Sequence, residues 1–157
     1  MIRGSGYKVN KRVARREGVP MPLKLKQTVK QMLAEANAEI ETISAEDAIK
    51  LKDDPSIVFV DIRDIRELAR DGRIPTAVHA PRGMLEFWVD PESPYHREIF
   101  ASGKKFLFFC AGGGRSALAA QTLQRMGLEP VCHMGGGFNA WKAAGGPVEP
   151  GKPPATG

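Results

Sequence analysis

Two short runs, Ile57-Val58-Phe59-Val60 and Phe106-Leu107-Phe108-Phe109, are apolar at every position. A strand with one wet face alternates polar and apolar residues, so an unbroken run predicts a strand covered on both faces. Strands of that kind belong to parallel sheets, whose crossovers lay helices above and below. The chain between and around the runs fits this scheme. A short helix is expected from Ile65 to Arg70, ending near Gly72, and a brief strand at Ala77-Val78-His79. Pro81 to Ser102 forms a longer connection, with Ser93 and Pro94 placed as N-cap and first helical residue. After the second run come a helix from Ser116 to Met126 capped by a left-handed Gly127, a strand from Val131 to Met134, and a helix from Phe138 to Ala143.

Upstream, Ser44-Ala45-Glu46-Asp47 resembles a capping box opening a short helix to Lys52, stopped by Asp53-Asp54-Pro55. Leu25, Val29, Met32, Leu33, Ala36 and Ile40 recur at three- and four-residue steps, which predicts an amphipathic helix over 23–39 packing on the domain. The expected fold is a three-layer α/β domain: a roughly five-stranded, mostly parallel sheet with helices on both faces. In such sheets sites form beyond the carboxyl ends of the strands, which directs attention to the segment after Phe109.

The 157 residues suit one domain with a single ordinary core. No apolar run reaches the roughly 18–20 residues a membrane helix needs, and residues 1–30 hold no signal-like stretch. No membrane contact and a cytoplasmic location are therefore expected. The net charge of +5 is concentrated in the first thirty residues, which carry nine Lys and Arg against Glu17 alone. Residues 1–22, ending in Val19-Pro20-Met21-Pro22, read as a basic flexible arm, and 149–157 as a disordered tail. The remainder is close to neutral, so the charge says little about the domain; the arm is read as a solvated tail in preference to a contact with nucleic acid or an acidic surface, and a nucleic acid is not expected as a partner.

Two cysteines, Cys110 and Cys132, are too few for a disulfide framework. Cys110 opens the segment Cys110-Ala111-Gly112-Gly113-Gly114-Arg115-Ser116, between a buried strand and a helix. Consecutive glycines let several backbone N–H groups point inward, and the helix start adds free amides. Arg115 brings a permanent charge and a planar donor fork. The result is an anion cradle with a sulfur at its rim, surroundings that favour thiolate and a nucleophilic role for Cys110. Cys132, inside a short apolar strand, reads as a buried filler, with a resolving thiol as the alternative. His79, His96 and His133 show no metal-ligand spacing with each other or with the cysteines, so a metal site is not expected.

The loop resembles the active-site loop of rhodaneses: a cysteine, four residues, then an arginine at a helix start. Val60-Asp61-Ile62-Arg63 with Glu67 is similar to that family's Asp-x-Arg-x-x-x-Glu segment. Gly72-Arg73-Ile74-Pro75-Thr76-Ala77 is similar to its Gly-His-Ile-Pro-Gly-Ala segment, with Arg73 and Thr76 as departures. Gly136-Gly137 followed by Trp141 resembles its closing motif. The resemblance covers roughly residues 40–148 and implies a rhodanese-like sulfurtransferase. Cys110 would take sulfane sulfur from thiosulfate or a similar small anion, hold it as a persulfide among the amides of Ala111 to Ser116, and pass it to cyanide or a thiol. A protein thiol is included among the acceptors. Arg115 would orient the donor, and the Ser116 hydroxyl would donate to sulfur or cap the helix. Related dual-specificity phosphatases have five residues between cysteine and arginine, so the tighter ring here favours sulfur. Asp61 and Arg63 are read as an ion pair tying loops together or as substrate contacts; Arg82 and Trp88 as lining of the mouth or as packing. The competing reading is a non-catalytic binding or relay module on the same fold.

Overall fold

The computed structural model describes residues 22–151. Most of the basic arm and the last six residues lie outside the described residues. Five strands form one sheet: β1 (Glu41–Ile43), β2 (Ile57–Asp61), β3 (Val78–His79), β4 (Lys105–Phe109) and β5 (Val131–Met134). Their order is β1-β5-β4-β2-β3, and every pairing is parallel. The two apolar runs are β2 and β4, side by side in the middle, with Val60 opposite Phe108 and Asp61 opposite Phe109. Central parallel strands are covered on both faces, and the sequence therefore needs no polar alternation there.

Side-chain alternation along the strands divides the core in two. Phe106, Phe108 and Val131 face the helices α1 (Val29–Glu39) and α5 (Gly114–Met126), with α4 (Leu85–Val89) beside them. Phe59, Leu107, Phe109, Cys132 and Met134 face α2 (Ala45–Lys50) and α6 (Gly137–Ala143), where Trp141 is fully buried. A further helix, α3 (Ile65–Asp71), follows β2. This is the expected three-layer α/β domain.

Several local expectations are corrected. The first helix starts at Val29, not Leu23, because Thr28 and Gln31 close a capping box there: Thr28 Oγ1 accepts from the Gln31 amide at 3.1 Å and Gln31 Oε1 from the Thr28 amide at 2.8 Å. Leu23 and Leu25 remain exposed. No helix starts at Ser93-Pro94. The Ser93 hydroxyl accepts from the Tyr95 amide two residues on, making a local turn, and the Arg97 amide bonds back to the Trp88 carbonyl. Only α4 and short 3-10 turns at Arg82–Met84 and Glu98–Ala101 occupy that connection. The strand β1 gave no apolar run, being three residues with two exposed. The tail begins later than 149, since Glu149 exchanges two backbone hydrogen bonds with Arg73 at 2.8 and 2.9 Å.

Thr76, standing where the resemblance has Gly, adopts φ +69°. Left-handed backbone costs a β-branched residue about 1–2 kcal/mol, part of which glycine's greater unfolded-state freedom would cancel. Thr76 is exposed, so truncation costs it little packing. Thr76→Gly is expected to stabilise the domain by about 0.5–1 kcal/mol, read as a rise of about 2 °C in melting temperature. An unchanged or lower value would contradict this account.

Candidate active site

Cys110 follows the last residue of β4, at the carboxyl edge of the sheet, and is buried. The chain turns through Gly112 and Gly113 and enters α5 at Gly114, two residues earlier than the sequence suggested. Of the three glycines only Gly113 has a positive φ, +105°. That turn brings the Gly113 N–H to 3.1 Å from Cys110 Sγ, where it donates to the sulfur. Ser116, also buried, places its Oγ 3.6 Å from the same sulfur. The amides of Gly114, Arg115 and Ser116 belong to the first turn of α5, which has no intrahelical acceptors for them.

The loop carbonyls are held away from the sulfur by α6. The Phe138 amide donates to the Cys110 carbonyl at 2.8 Å and the Asn139 amide to the Ala111 carbonyl at 3.0 Å. With those acceptors turned toward α6, the loop presents the Gly113 N–H to the sulfur, the polarity that a negative charge there requires. This clamp depends on Gly137, at φ +60°. A Cβ on Gly137 would stand 2.5 Å from the Cys110 carbonyl oxygen and 2.7 Å from the Ala111 carbonyl group. Gly137→Ala is expected to push α6 off the loop, destabilise the protein by about 2–3 kcal/mol and slow any reaction of Cys110 by more than about tenfold. Alkylation kinetics with a parallel melting curve would check it.

Arg115 lies at the rim with its side chain 44% exposed. Its fork is engaged by Glu67 of α3, with Nη1 donating to Oε2 at 2.9 Å and Nη2 to Oε1 at 3.0 Å. The pair holds the Glu67 carboxyl below its usual range and Arg115 above its own, with a smaller contribution from the Cys110 sulfur nearby. Glu67 itself is held by the Asp64 amide, which donates to Oε2 at 3.0 Å in a second capping box. Glu67 stands 48 positions before Arg115, and a carboxylate that far along the chain gives no local sign of its partner.

The other named residues fall elsewhere. Asp61 and Arg63 form a buried ion pair, with Arg63 Nη2 donating to Asp61 Oδ2 at 2.7 Å and to the Gly72 carbonyl at 2.9 Å. The guanidinium sits 4.0 Å over the Phe138 ring, and His79 Nε2 donates to the Arg63 carbonyl at 2.7 Å. This is a strut joining β2, the end of α3 and α6, the loop-tying alternative of the two. Arg82 pairs with Glu86 at 3.0 Å, and Trp88 carries the Arg97 guanidinium 3.9 Å above its ring. Cys132 is fully buried on the face opposite Cys110, and burial pushes its thiol up to about 12. The sheet between the two sulfurs leaves no route to a resolving disulfide. Among the described residues no group of three or more His, Cys, Asp and Glu is placed to hold a metal, and no helix is long and apolar enough to cross a membrane. A cavity of about 240 Å³ lies behind the loop, between Leu33 and Asn37 of α1, Thr42 of β1 and His133 of β5.

Against known proteins, the rhodanese-like domain family matches residues 44–144, more than half of the chain. The chain belongs to that family. The rhodanese-like domain is a sulfur-transfer-related fold, and relatives carry different labels on it. A solved structure from Rhodopseudomonas palustris, a protein of unknown function named a possible tyrosine phosphatase, is 56% identical, with a TM-score of 0.80 over 82% of this chain and 99% of that one. Uncharacterized protein slr1261 of Synechocystis is 30% identical over 107 residues, which are 68% of this chain and 55% of that protein. The Bacillus subtilis protein named "Putative sulfur carrier protein YrkF" is 30% identical over 92 residues, 59% of this chain and 45% of that one. The chain thus spans about half the length of these two curated relatives.

Proposed function

We propose that this rhodanese-like domain is a sulfurtransferase that works through a persulfide on Cys110. The observation that carries this reading is the inward N–H group of Gly113, 3.1 Å from Cys110 Sγ, on a loop whose first two carbonyls are bonded away by α6. Thiolate attack on the outer sulfur of thiosulfate forms the Cys110 S–S bond. The bond to the sulfonate breaks, and sulfite leaves with the electron pair. The terminal sulfur of the persulfide then carries the negative charge, facing the loop amides of Ala111 to Ser116. Cyanide or an acceptor thiolate attacks that sulfur, and Cys110 thiolate is returned. No cofactor enters these steps. Arg115 meets the incoming anion at the rim, where its charge is partly neutralised by Glu67, so it steers and orients the donor more than it binds it.

The name of the Rhodopseudomonas protein points to phosphate chemistry. Four residues separate Cys110 from Arg115, one fewer than in dual-specificity phosphatases, and the Arg115 fork is taken up by Glu67. Both features favour a single sulfur over a phosphate group. The test is an intact-protein mass spectrum after incubation with thiosulfate, with and without cyanide. A gain of one sulfur on Cys110 that cyanide removes is the expected result. No adduct on folded, reduced protein would turn the reading to a binding module, and release of phosphate from an aryl phosphate would turn it to a phosphatase.

A further inference from the structure

Three polar side chains form a line behind the loop, none of them needed by the steps above except Ser116. His133 of β5 is 2% exposed, and both its ring nitrogens have partners. Its Nδ1 lies 3.0 Å from Ser116 Oγ, and its Nε2 3.0 Å from Asn37 Oδ1. Ser116 Oγ completes the line at 3.6 Å from Cys110 Sγ.

Asn37 sets the direction of the protons. Its Nδ2 donates to the Leu33 carbonyl at 2.9 Å, and its Oδ1 accepts from Thr42 Oγ1 at 3.4 Å, so the oxygen is the atom that meets the imidazole. An amide oxygen only accepts, so Nε2 carries the hydrogen and Nδ1 is bare. The Ser116 hydroxyl, which has the Gly113 carbonyl at 3.3 Å as a second acceptor, can then donate to the nearer Nδ1 at 3.0 Å and turn a lone pair toward the Cys110 thiol. The chain S–H···O–H···N runs one way, from sulfur to imidazole.

We propose that His133 takes up the Cys110 thiol proton through Ser116, with Asn37 holding the imidazole in the accepting tautomer. The S–H bond breaks as an O–H bond forms on Ser116. The original Ser116 O–H bond breaks as an N–H bond forms on Nδ1. Thiolate and imidazolium result, with no net charge and no outside reactant, and the hydroxyl now donates to sulfur. This deepens the reading of Cys110 as a nucleophile and rests on it. His133 and Asn37 are positioning residues, acting on the sulfur only through Ser116.

The surroundings suit a base that charges only beside its thiolate. Burial holds the imidazole below its usual range, so it is uncharged at rest, and the imidazolium it forms depends on the thiolate at the other end of the line. Cys110 is the titratable group at the far end of the line; α5 faces His133 with Ser116, α1 with Asn37 and β1 with Thr42, none of them charged. The ions on those elements are turned to the surface. Glu39 pairs with Arg125, Glu41 with Lys105 and Arg115 with Glu67, while Lys30 and Glu35 are exposed. Asn37 lies outside the residues that the family matches, so the line joins the family's loop to this chain's own preceding helix.

The test is the pH profile of Cys110 alkylation by iodoacetamide in the full chain, with NMR of the labelled imidazole nitrogens. His133→Asn keeps an acceptor for the Ser116 hydroxyl but cannot bind the proton. It is expected to slow alkylation about tenfold at neutral pH and to converge with the unaltered protein near about pH 10, where thiols ionise unaided. Asn37→Ala, at an exposed helical position, should keep the fold and slow the reaction about threefold. The imidazole of the unaltered protein should carry its hydrogen on Nε2. Superimposable profiles for folded variants, or a hydrogen on Nδ1, would overturn the relay. Thiosulfate loading at an unchanged rate in His133→Asn would sink the relay and leave sulfur transfer standing. Alkylation that depends on His133 in a protein that takes no sulfur would do the reverse.

Discussion

Cys110→Ala is expected to leave a folded protein that takes up no sulfur, with loading from thiosulfate down by at least about a thousandfold. The loss follows from there being no substitute nucleophile among the described residues. Cys132 is fully buried on the other face of the sheet, and its thiol is pushed up to about 12, so almost none is ionised near neutrality. Removing the sulfur leaves a small void and one loop amide, Gly113, without its acceptor. Those losses cost about 1–2 kcal/mol, well short of unfolding a domain of ordinary stability. Cys110→Ser, which restores the shape with a hydroxyl that ionises far too weakly, should be equally inactive. Intact mass after thiosulfate and thiocyanate release after cyanide would measure both variants. A sulfur adduct persisting in Cys110→Ala would remove this residue from the chemistry altogether.

Arg63→Ala should produce the largest loss of stability, about 3–5 kcal/mol, because it strands the Asp61 carboxylate in the core. Asp61 is 1% and Arg63 0% exposed. The carboxylate accepts from Arg63 Nε at 3.0 and 3.2 Å, from Nη2 at 2.7 Å, and from the Arg63 amide at 3.1 Å. The substitution removes every side-chain donor of that set, together with the bond to the Gly72 carbonyl and the stacking on Phe138. For a domain of this size the loss corresponds to a fall of about 10 °C or more in melting temperature. The double variant Asp61→Leu/Arg63→Met should recover much of it, since the pair itself contributes little beyond cancelling its own desolvation. Thermal unfolding of the three proteins would decide. Additive losses in the double variant would mean that the pair is not the unit described here.

Most of the fold could be read from local chemistry. The unbroken apolar runs at β2 and β4 identified central parallel strands, and Gly127 and Ser44 marked a helix end and a helix start, the latter with its hydroxyl accepting from the Asp47 amide at 3.1 Å. The failures occurred where a tertiary contact or a short turn outweighed a local preference. Three residues of β1 become a strand only because β5 offers them a parallel edge, and the sequence has no way to signal that. Ser93-Pro94 had the chemistry of a helix start, but the hydroxyl closed on the next amide but one.

The candidate site divides the same way. Cys110, the glycine turn, Arg115 and Ser116 lie within seven consecutive residues between a strand and a helix, so the chemistry proposed for them can be argued from local order alone. Their partners come from far along the chain: Glu67 on Arg115, the Phe138 and Asn139 amides on the loop carbonyls, and His133 with Asn37 behind Ser116. The sequence by itself determined the layered sheet and the loop that holds the proposed nucleophile, because apolar pattern and glycine-arginine spacing are local properties. Tertiary structure alone decided which way the loop carbonyls turn, where the Arg115 fork is spent, and which imidazole nitrogen faces the serine. Each of those depends on side chains or amides brought together by the stacking of parallel strands, and covalent order carries no record of that distance.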